Sequence, residues 1–427
     1  MKGLTLALFG LLSVAQAQIA FLPLDSRPTT RILPLMIAEL SGKTVVTPPR
    51  ELLGDAKQGA NLEGLKSWLE TQNDSEALYI ALDALAYGGL VQSRSSTISA
   101  EEALKNLEPV RQYAQLGKPV YASITIPRFP DAKNRPRNLE VIHKMLEWAR
   151  EGVFKELRVT WDDALGGSPA PLEGIEIAKI APPNVRVYPG ADEVLSSLFA
   201  SSLAPAPKRL RVVYSDPSKV KNVLPYDGLS LEDSVKLHAE SNGFKLFEVV
   251  PDLTLYVYNG GNSRKAVLNI KELARAGEVS VVDIAKVNVG TPAFWKDLRT
   301  LGVFHGLSSF AAWGTPGNNF GTALAQAKLW LEFGNLEANR NLLAYEYQND
   351  LLYSSVVRFE LRKVFPETAL AETGPRSEAA RDWLLRRSSR NAQLRFPNGE
   401  YVLGNIFLPW NRSFEAEGAL ELVPSGE

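Results

Sequence analysis

Short apolar runs alternate with longer amphipathic stretches along most of this chain. From Gln18 to about Ala200 the apolar runs predict strands near Ile19–Leu24, Thr44–Thr47, Leu78–Leu82, Val120–Ile124, Leu157–Thr160 and Val185–Tyr188. Helix-like segments lie between them, near Ile32–Leu40, Leu62–Glu70, Ala100–Gln115 and Asn138–Glu151. Repeated βα units build a parallel sheet with helices on both faces. The segment Ser201-Ser202-Leu203-Ala204-Pro205-Ala206-Pro207 reads as a linker by composition. A second series follows, with strands expected near Leu210–Tyr214, Lys245–Val249, Leu253–Tyr258, Val279–Ile284 and Val303–Phe310. Its helices are expected near Leu231–Ser241, Ser263–Ala276, Pro292–Thr300 and Gly321–Phe333. Five strands with alternating helices suit a flavodoxin-like unit.

After Gly334 the pattern turns helical, from Leu336 to about Leu361 and from Ser377 to Arg387. The tail from Leu394 to about Leu422 then reads as short strands with a turn at Asn398-Gly399. The expected fold is α/β. Residues 18–204 and 208–334 each form a parallel, flavodoxin-like sheet domain, and residues 335–427 form a helical segment with short C-terminal strands. The alternative is a single (β/α) barrel closed from both halves. About eleven strands and a proline-rich linker favour two sheets.

The first residues change the boundaries of that fold. Lys2, the apolar run Leu4 to Val14 and Ala15-Gln16-Ala17 match the three parts of a signal peptide, residues 1–17. The run is short for a membrane span. The mature chain is expected to begin at Gln18, exported to the periplasm or beyond, with no membrane insertion after signal removal. The 427 residues exceed one ordinary core, and 45% hydrophobic with 22% charged residues describes a globular chain. A net charge of -1 gives no electrostatic case for nucleic acid or anionic membrane as partner. With no cysteine, neither disulfides nor thiol chemistry is available.

The candidate chemistry sits at the ends of the expected strands. The run Leu78 to Leu82 is followed by Asp83, then by Tyr87, Gly88-Gly89 and Arg94. In open parallel sheets, ligands bind beyond the carboxyl ends of the strands. The same arrangement recurs at Phe21 to Asp25 with Arg27, Ile124 to Arg128, Arg158 to Asp163, and Val185 to Glu193. Each Asp could instead cap the helix that follows it. Asp162 and Asp163 are the sharpest feature. Adjacent carboxylates repel, so a partly buried one has a raised pKa and can act as a general acid. Trp161 beside them offers an apolar platform for a sugar. Asp192-Glu193 could contribute to a site, or could open the helix from Val194, where acids favour the positive dipole end.

In the second half, Ala312 to Thr322 holds Trp313, Asn318 and Asn319 in a glycine-rich turn before a helix. Such a turn exposes N–H groups that suit an anion or a polar sugar group. The alternative is a tight turn with Asn and Thr as caps. No Walker lysine or G-x-G-x-x-G spacing supports nucleotide binding. Arg27, Arg94 and Arg128 could clamp a carboxylate or phosphate, or could neutralise Asp25, Asp83 and the Asp162-Asp163 pair. His143, His238 and His305 form no short metal-ligand pattern. Only His238, on the helix after Tyr226-Asp227-Gly228, could face a cleft. No G-x-S-x-G elbow is present. A carboxylate-bound hard cation, with Asp25 and Asp83 as ligands, is a further possibility, and no cofactor is expected.

Ordered motifs resemble a known family. They are Leu22-Pro23-Leu24-Asp25-Ser26-Arg27-Pro28, Pro48-Pro49-Arg50-Glu51-Leu52-Leu53-Gly54, the Asp83 to Arg94 stretch, Asp162-Asp163, Pro189-Gly190-Ala191-Asp192-Glu193 and the glycine-asparagine segment after Trp313. Together they are similar to the bacterial family catalogued as domain of unknown function 4127, from Phe21 to about Phe359. The match departs at Gly314 and Asn319, where asparagine and threonine are expected. The family name implies no activity. Separately, Asp162-Asp163 resembles the aspartate pair of barrel glycosidases that cleave N-acetylhexosamines with the substrate's own acetamido group. That resemblance implies that Asp162 orients the acetamido group and Asp163 protonates the leaving oxygen. Gly190-Ala191-Asp192-Glu193 is likewise similar to the Gly-Gly-Asp-Glu of hexosaminidases.

The expectation is an exported carboxylate-dependent hydrolase, a glycosidase acting on an amino-sugar-containing glycan. Asp162, Asp163 and Asp83 are its catalytic candidates. Asp25, Arg27, Tyr87, Arg94, Arg128, Trp161, Asp192, Glu193, Trp313, Asn318 and Asn319 are its substrate-binding candidates. The alternatives are a periplasmic carbohydrate-binding protein of two α/β lobes and a metal-dependent amide or ester hydrolase.

Overall fold

The computed structural model describes residues 18–128, 134–371, 375–389, 394–396 and 399–424. The expected signal peptide lies outside the described residues, as does Asn398 of the expected turn.

Six strands form the first sheet: β1 (Gln18–Leu22), β2 (Thr44–Val46), β3 (Ala77–Ala81), β4 (Val120–Ile126), β5 (Glu156–Trp161) and β6 (Val185–Pro189). They run parallel in the order β2-β1-β3-β4-β5-β6. The second half contributes β7 (Lys208–Tyr214), a small hairpin of β8 (Val223–Leu224) and β9 (Leu229–Ser230), then β10 (Phe244–Leu246), β11 (Leu253–Tyr258), β12 (Val279–Asp283) and β13 (Ser309–Ala311). Its parallel sheet has the order β10-β7-β11-β12-β13. Both sheets are open and follow the flavodoxin-like order, so the two-sheet reading holds and the closed barrel does not. An antiparallel sheet of β14 (Leu394–Phe396), β15 (Gly399–Phe407) and β16 (Glu417–Pro424) ends the chain. Among the described residues, no helix is long and apolar enough to cross a membrane.

Strand side chains alternate between faces, and the cores follow that period. On β1, Ala20 and Leu22 face an outer core with the helices Leu62–Glu70, Ala100–Gln115 and Arg135–Arg150. Ile19 and Phe21 face a second core, which also takes Leu255 and Val257 of β11 and the helices Val194–Leu203 and Pro316–Phe333. This middle layer is shared by both sheets. Phe199 marks its centre, with its ring centroid 4.2 Å from Tyr79 and 5.6 Å from Phe21. A fully buried Arg158 adds a polar tie. From β5 it donates to Ser241 O at the end of the helix Leu231–Ser241 and to Ser201 Oγ, each at 2.8 Å.

Several local expectations are corrected. Ser201–Leu203 form the last turn of the helix Val194–Leu203 and Ala204 is buried, so only Pro205-Ala206-Pro207 is exposed linker. His305 lies in a 3₁₀ turn, Phe304–Gly306, because the last strand of the second sheet is only Ser309–Ala311. A helix absent from the expected pattern, Ala170–Ile180, packs its Gly174 on Trp161, where a Cβ would lie 2.5 Å from Cε3. Asp83 falls inside a short helix, Leu82–Tyr87, closed by Gly88 at φ +98°. The long helical region contains a π-helical segment, Tyr347–Val357, that directs Asp350 back to accept from the amide of Ala312 at 2.9 Å.

Candidate functional site

The carboxyl ends of both sheets open onto one cavity of about 550 Å³. Parallel strands deliver all their C-terminal loops to the same edge, which is why distant charged strand ends converge. The loop after β1 brings Arg27, the short helix Leu90–Ser95 brings Arg94, and the loop after β4 brings Arg128. Trp161, Asp162 and Asp163 come from the end of β5, and Asp192 from the loop after β6. The second half supplies Trp313 and Asn318.

Asp162 and Asp163 both line the cavity although strand neighbours normally alternate. Asp163 has φ +40°, in the left-handed region, which ends the alternation at some cost in backbone strain. Asp163 accepts from Arg128 Nη1 at 2.9 Å. Asp162 is held more loosely, 3.4 Å from Arg94 Nη1. Burial, then the charge of Asp163, pushes the Asp162 carboxyl up to about 6. Trp161 is fixed by its indole N–H donating to Asp227 O at 2.8 Å, and its ring is almost wholly buried.

Arg27 is saturated. Its Nε bonds both oxygens of Asp25, at 2.9 and 3.0 Å, and its Nη1 and Nη2 take both oxygens of Asp192, at 2.8 and 2.6 Å. The guanidinium also lies over Trp410, 5.1 Å from the ring centroid. Of the two functions open to Arg27, neutralisation is the one its contacts fill.

Five candidates stand behind the cavity wall rather than on it. Asp25 is buried against Arg27 and accepts from Thr30 Oγ1 at 2.7 Å. Asp83 is buried and accepts from the amide of Thr125 at 3.0 Å, and burial raises it to about 7. Tyr87 is buried under the guanidinium of Arg137, 4.5 Å from its ring centroid. Glu193 is buried beneath Gly190 and Gly321, where burial raises it to about 8. Asn319 is buried and accepts from the amide of Gly314 at 2.9 Å, closing the turn. Asp25 and Asp83 therefore do not present a shared cation site. Among the described residues, no group of three His, Asp or Glu side chains is arranged to hold a metal ion.

Other lining residues carried little sequence signal. Tyr226 and Asp227 enter on the hairpin between β8 and β9, and Asn288 on the loop after β12. Asp227 accepts from Ser234 Oγ at 2.5 Å and from the amide of Gly317 at 3.3 Å, and burial raises it to about 6. His238, the histidine expected near a cleft, is buried against Gly317, and its charged form is disfavoured, with a pKa near 3 through burial and then Arg158. Trp410, Arg412 and Phe414 reach the cavity from the loop between β15 and β16. Their every-second spacing was the only hint, in a tail read as plain strands.

A family model described as "Protein of unknown function (DUF4127)" matches residues 19–136 and 132–418. No curated protein matches the chain. Among solved structures, the chain is similar to the carboxyl transferase domain of Rhizobium etli pyruvate carboxylase with 3-bromopyruvate. The identity is 14% and the TM-score 0.22, with 87% of this chain and 54% of that one covered. The chain thus spans about half the length of that protein, and so low a score carries no argument about fold or function.

Proposed function

The chain belongs to the DUF4127 family, whose description names no activity, and from the site and the N-terminal sequence pattern we propose that it is an exported glycosidase acting on an amino-sugar-containing glycan. One observation carries the reading: adjacent carboxyls at one strand end face a cavity in which one, Asp162, has its pKa raised to about 6 by burial while the other is closely ion-paired to Arg128. Two carboxyl groups in different environments are the common equipment of glycoside hydrolysis.

The environments suggest an exchange of the roles implied by resemblance. Asp162 is the better proton donor because burial, and then the charge of Asp163, brings its pKa up to about 6, closer to the working range of a general acid. In the proposed step Asp162 gives that proton to the glycosidic oxygen as the bond from that oxygen to the anomeric carbon breaks. The substrate's acetamido oxygen bonds to the anomeric carbon, and Asp163 accepts the acetamido N–H. Water then opens the cyclic intermediate and the proton returns to Asp162. Asp83, behind the wall, is a supporting residue in this scheme rather than a reacting one.

The two-lobed binding protein is the weaker alternative. Such proteins close by hinging, whereas here one core and Arg158 join the lobes. A metal-dependent hydrolase based on Asp25 is disfavoured because a cation would have to displace Arg27 from both oxygens. The test is a hydrolysis screen against N-acetylhexosaminides, other glycosides and peptidoglycan fragments. Turnover of an N-acetylhexosaminide is the expected result. Tight sugar binding with no turnover of any glycoside would overturn the reading in favour of a binder.

A further inference from the structure

Of the cavity's arginines, one lacks a full counter-ion. Arg27 lies between two carboxylates, Arg128 is paired with Asp163, and Arg412 with Glu415 at 2.9 Å. Arg94 makes a single side-chain hydrogen bond among the described residues, the 3.4 Å contact to Asp162. Yet its side chain is only 16% exposed. A largely buried guanidinium whose one ion-pair contact is long has its desolvation incompletely repaid. Burial lowers the pKa of Arg94 most, Asp162 and Asp163 oppose it, and the nearby Arg128 and Arg27 add to the lowering.

The backbone beneath Arg94 is built to hold it there. Asn138 Nδ2 donates to Ser93 O at 2.9 Å, Arg137 also donates to Ser93 O, and Asn134 donates to the carbonyl of Arg94 itself. Arg137 further ties Ile98 O at 2.9 Å. A tethered short helix that presents an under-paired guanidinium to a cavity is a preorganised anion site.

We propose that Arg94 receives a monoanionic group of the substrate, the carboxylate of an acidic sugar, and that this carboxylate takes over from Asp162 as the counter-ion of Arg94. This rests on the glycan reading of the cavity. A monoanion fits because one guanidinium is under-paired while Asp162, Asp163, Asp192 and Asp227 also line the space. A dianionic phosphate would meet those acids with its second charge. A sulfate ester shares the monoanionic chemistry and is the other source. The exchange has a proton balance: Asp162, relieved of Arg94 and beside a new negative charge, takes one proton from solvent as the acid binds. Binding an acidic sugar therefore loads the proton that the proposed cleavage uses.

Calorimetry on the full-length mature protein tests this. D-glucuronate, its methyl ester and glucose 6-sulfate are titrated at pH 7.5 in two buffers of different ionisation heat. The wild type should bind glucuronate at least tenfold more tightly than the ester, with net uptake approaching one proton. Arg94→Gln should abolish both the preference and the uptake. Arg94→Lys, which keeps the charge but loses the fork, should retain part of each. Asp162→Asn should abolish the uptake, keep the preference for the acid over the ester, and bind glucuronate at least as tightly as the wild type. Unchanged melting temperatures establish that each variant is folded. Tighter binding of the sulfate than of glucuronate would assign the sulfate ester as the source and overturn the carboxylate. Equal affinity for acid and ester, or a preference that survives Arg94→Gln, would overturn the proposal even if the protein hydrolyses neutral glycosides. A preference lost in Arg94→Gln, with no glycoside hydrolysed, would keep the anion site and sink the glycosidase reading. No binding of any of the three would overturn the acidic-sugar site.

Discussion

Replacing Arg158 by methionine tests how the two sheets are joined. The substitution keeps an unbranched apolar stem and removes the guanidinium. The wild-type guanidinium bonds Glu156 at 2.8 Å, Tyr188 Oη at 3.1 Å, Ser201 Oγ at 2.8 Å and Ser241 O at 2.8 Å. The partners are not stranded equally. Glu156 keeps Arg186 at 3.0 Å, and Ser201 Oγ keeps its bond to Leu198 O at 3.2 Å. Ser241 O and Tyr188 Oη are the groups left short, at about 1–3 kcal/mol for each buried orphan. That puts the loss at about 3 kcal/mol, near the lower end for breaking a buried charge network. For a folding unit of 150–250 residues it lowers Tm by roughly 6–12 °C, and by about half that if both sheets unfold together. Differential scanning calorimetry at pH 7 measures it. Arg186→Met is the control: its ion pair is half-exposed on the arginine side, and such pairs contribute under about 1 kcal/mol. A Tm for Arg158→Met within about 1 °C of wild type, or no lower than that of Arg186→Met, would refute the reasoning.

Other predictions follow from the same contacts. Asp83 and Asp350, each raised by burial to about 7, and Glu193, raised to about 8, bind protons more tightly folded than unfolded. Their stabilising contribution is therefore fully present below the unfolded carboxyl range of about pH 4, falls at about 1.4 kcal/mol per pH unit for each group above it, and is gone once pH has risen through the folded values. Melting temperatures should fall from pH 5 to pH 8, less steeply in Asp83→Asn, and a steady rise would contradict this. Gly317→Ala should lower the melting temperature, because its Cβ would lie 2.9 Å from Nε2 of the buried His238 and 3.2 Å from Oδ1 of the buried Asp227. An unchanged melting temperature would contradict so close a packing of Gly317 on His238. Limited chymotrypsin digestion should cut first at the exposed Phe247 rather than in 201–207, whose start is helical. First cuts within 201–207 would instead mark that connector as loose. Intact-mass analysis of protein secreted by a bacterial host should show loss of residues through Ala17, and retention of Met1 would argue against export.

The parallel sheets were legible because buried strands are apolar runs, and the convergence of their charged ends follows from parallel topology alone. What each charged end does was not legible. Asp192 and Glu193 are neighbours, yet one reaches Arg27 and the other turns under Gly190. Asn318 and Asn319 are adjacent on the helix Pro316–Phe333, about 100° apart around its axis, so one faces the cavity and the other closes the turn at Gly314. The division of labour among Arg27, Arg94 and Arg128 depends on carboxylates far away in sequence, Asp192 and Asp163 among them. No local pattern carries that information. Trp410, Arg412 and Phe414 were missed for the same reason: a loop between antiparallel strands gives no sign of which distant cavity it will roof.

Asp162→Asn tests most directly whether Asp162 is the proton donor. Asparagine fills the same space and has no proton to give, so hydrolysis of an unactivated N-acetylhexosaminide should fall by roughly a hundredfold to ten-thousandfold. A nitrophenyl glycoside, whose leaving group needs little protonation, should lose far less. The wild-type rate on the unactivated substrate should decline as pH rises through about 6, where Asp162 gives up its proton. Equal losses on both substrates, or an Asp162→Asn enzyme as fast as wild type on the unactivated one, would contradict the account.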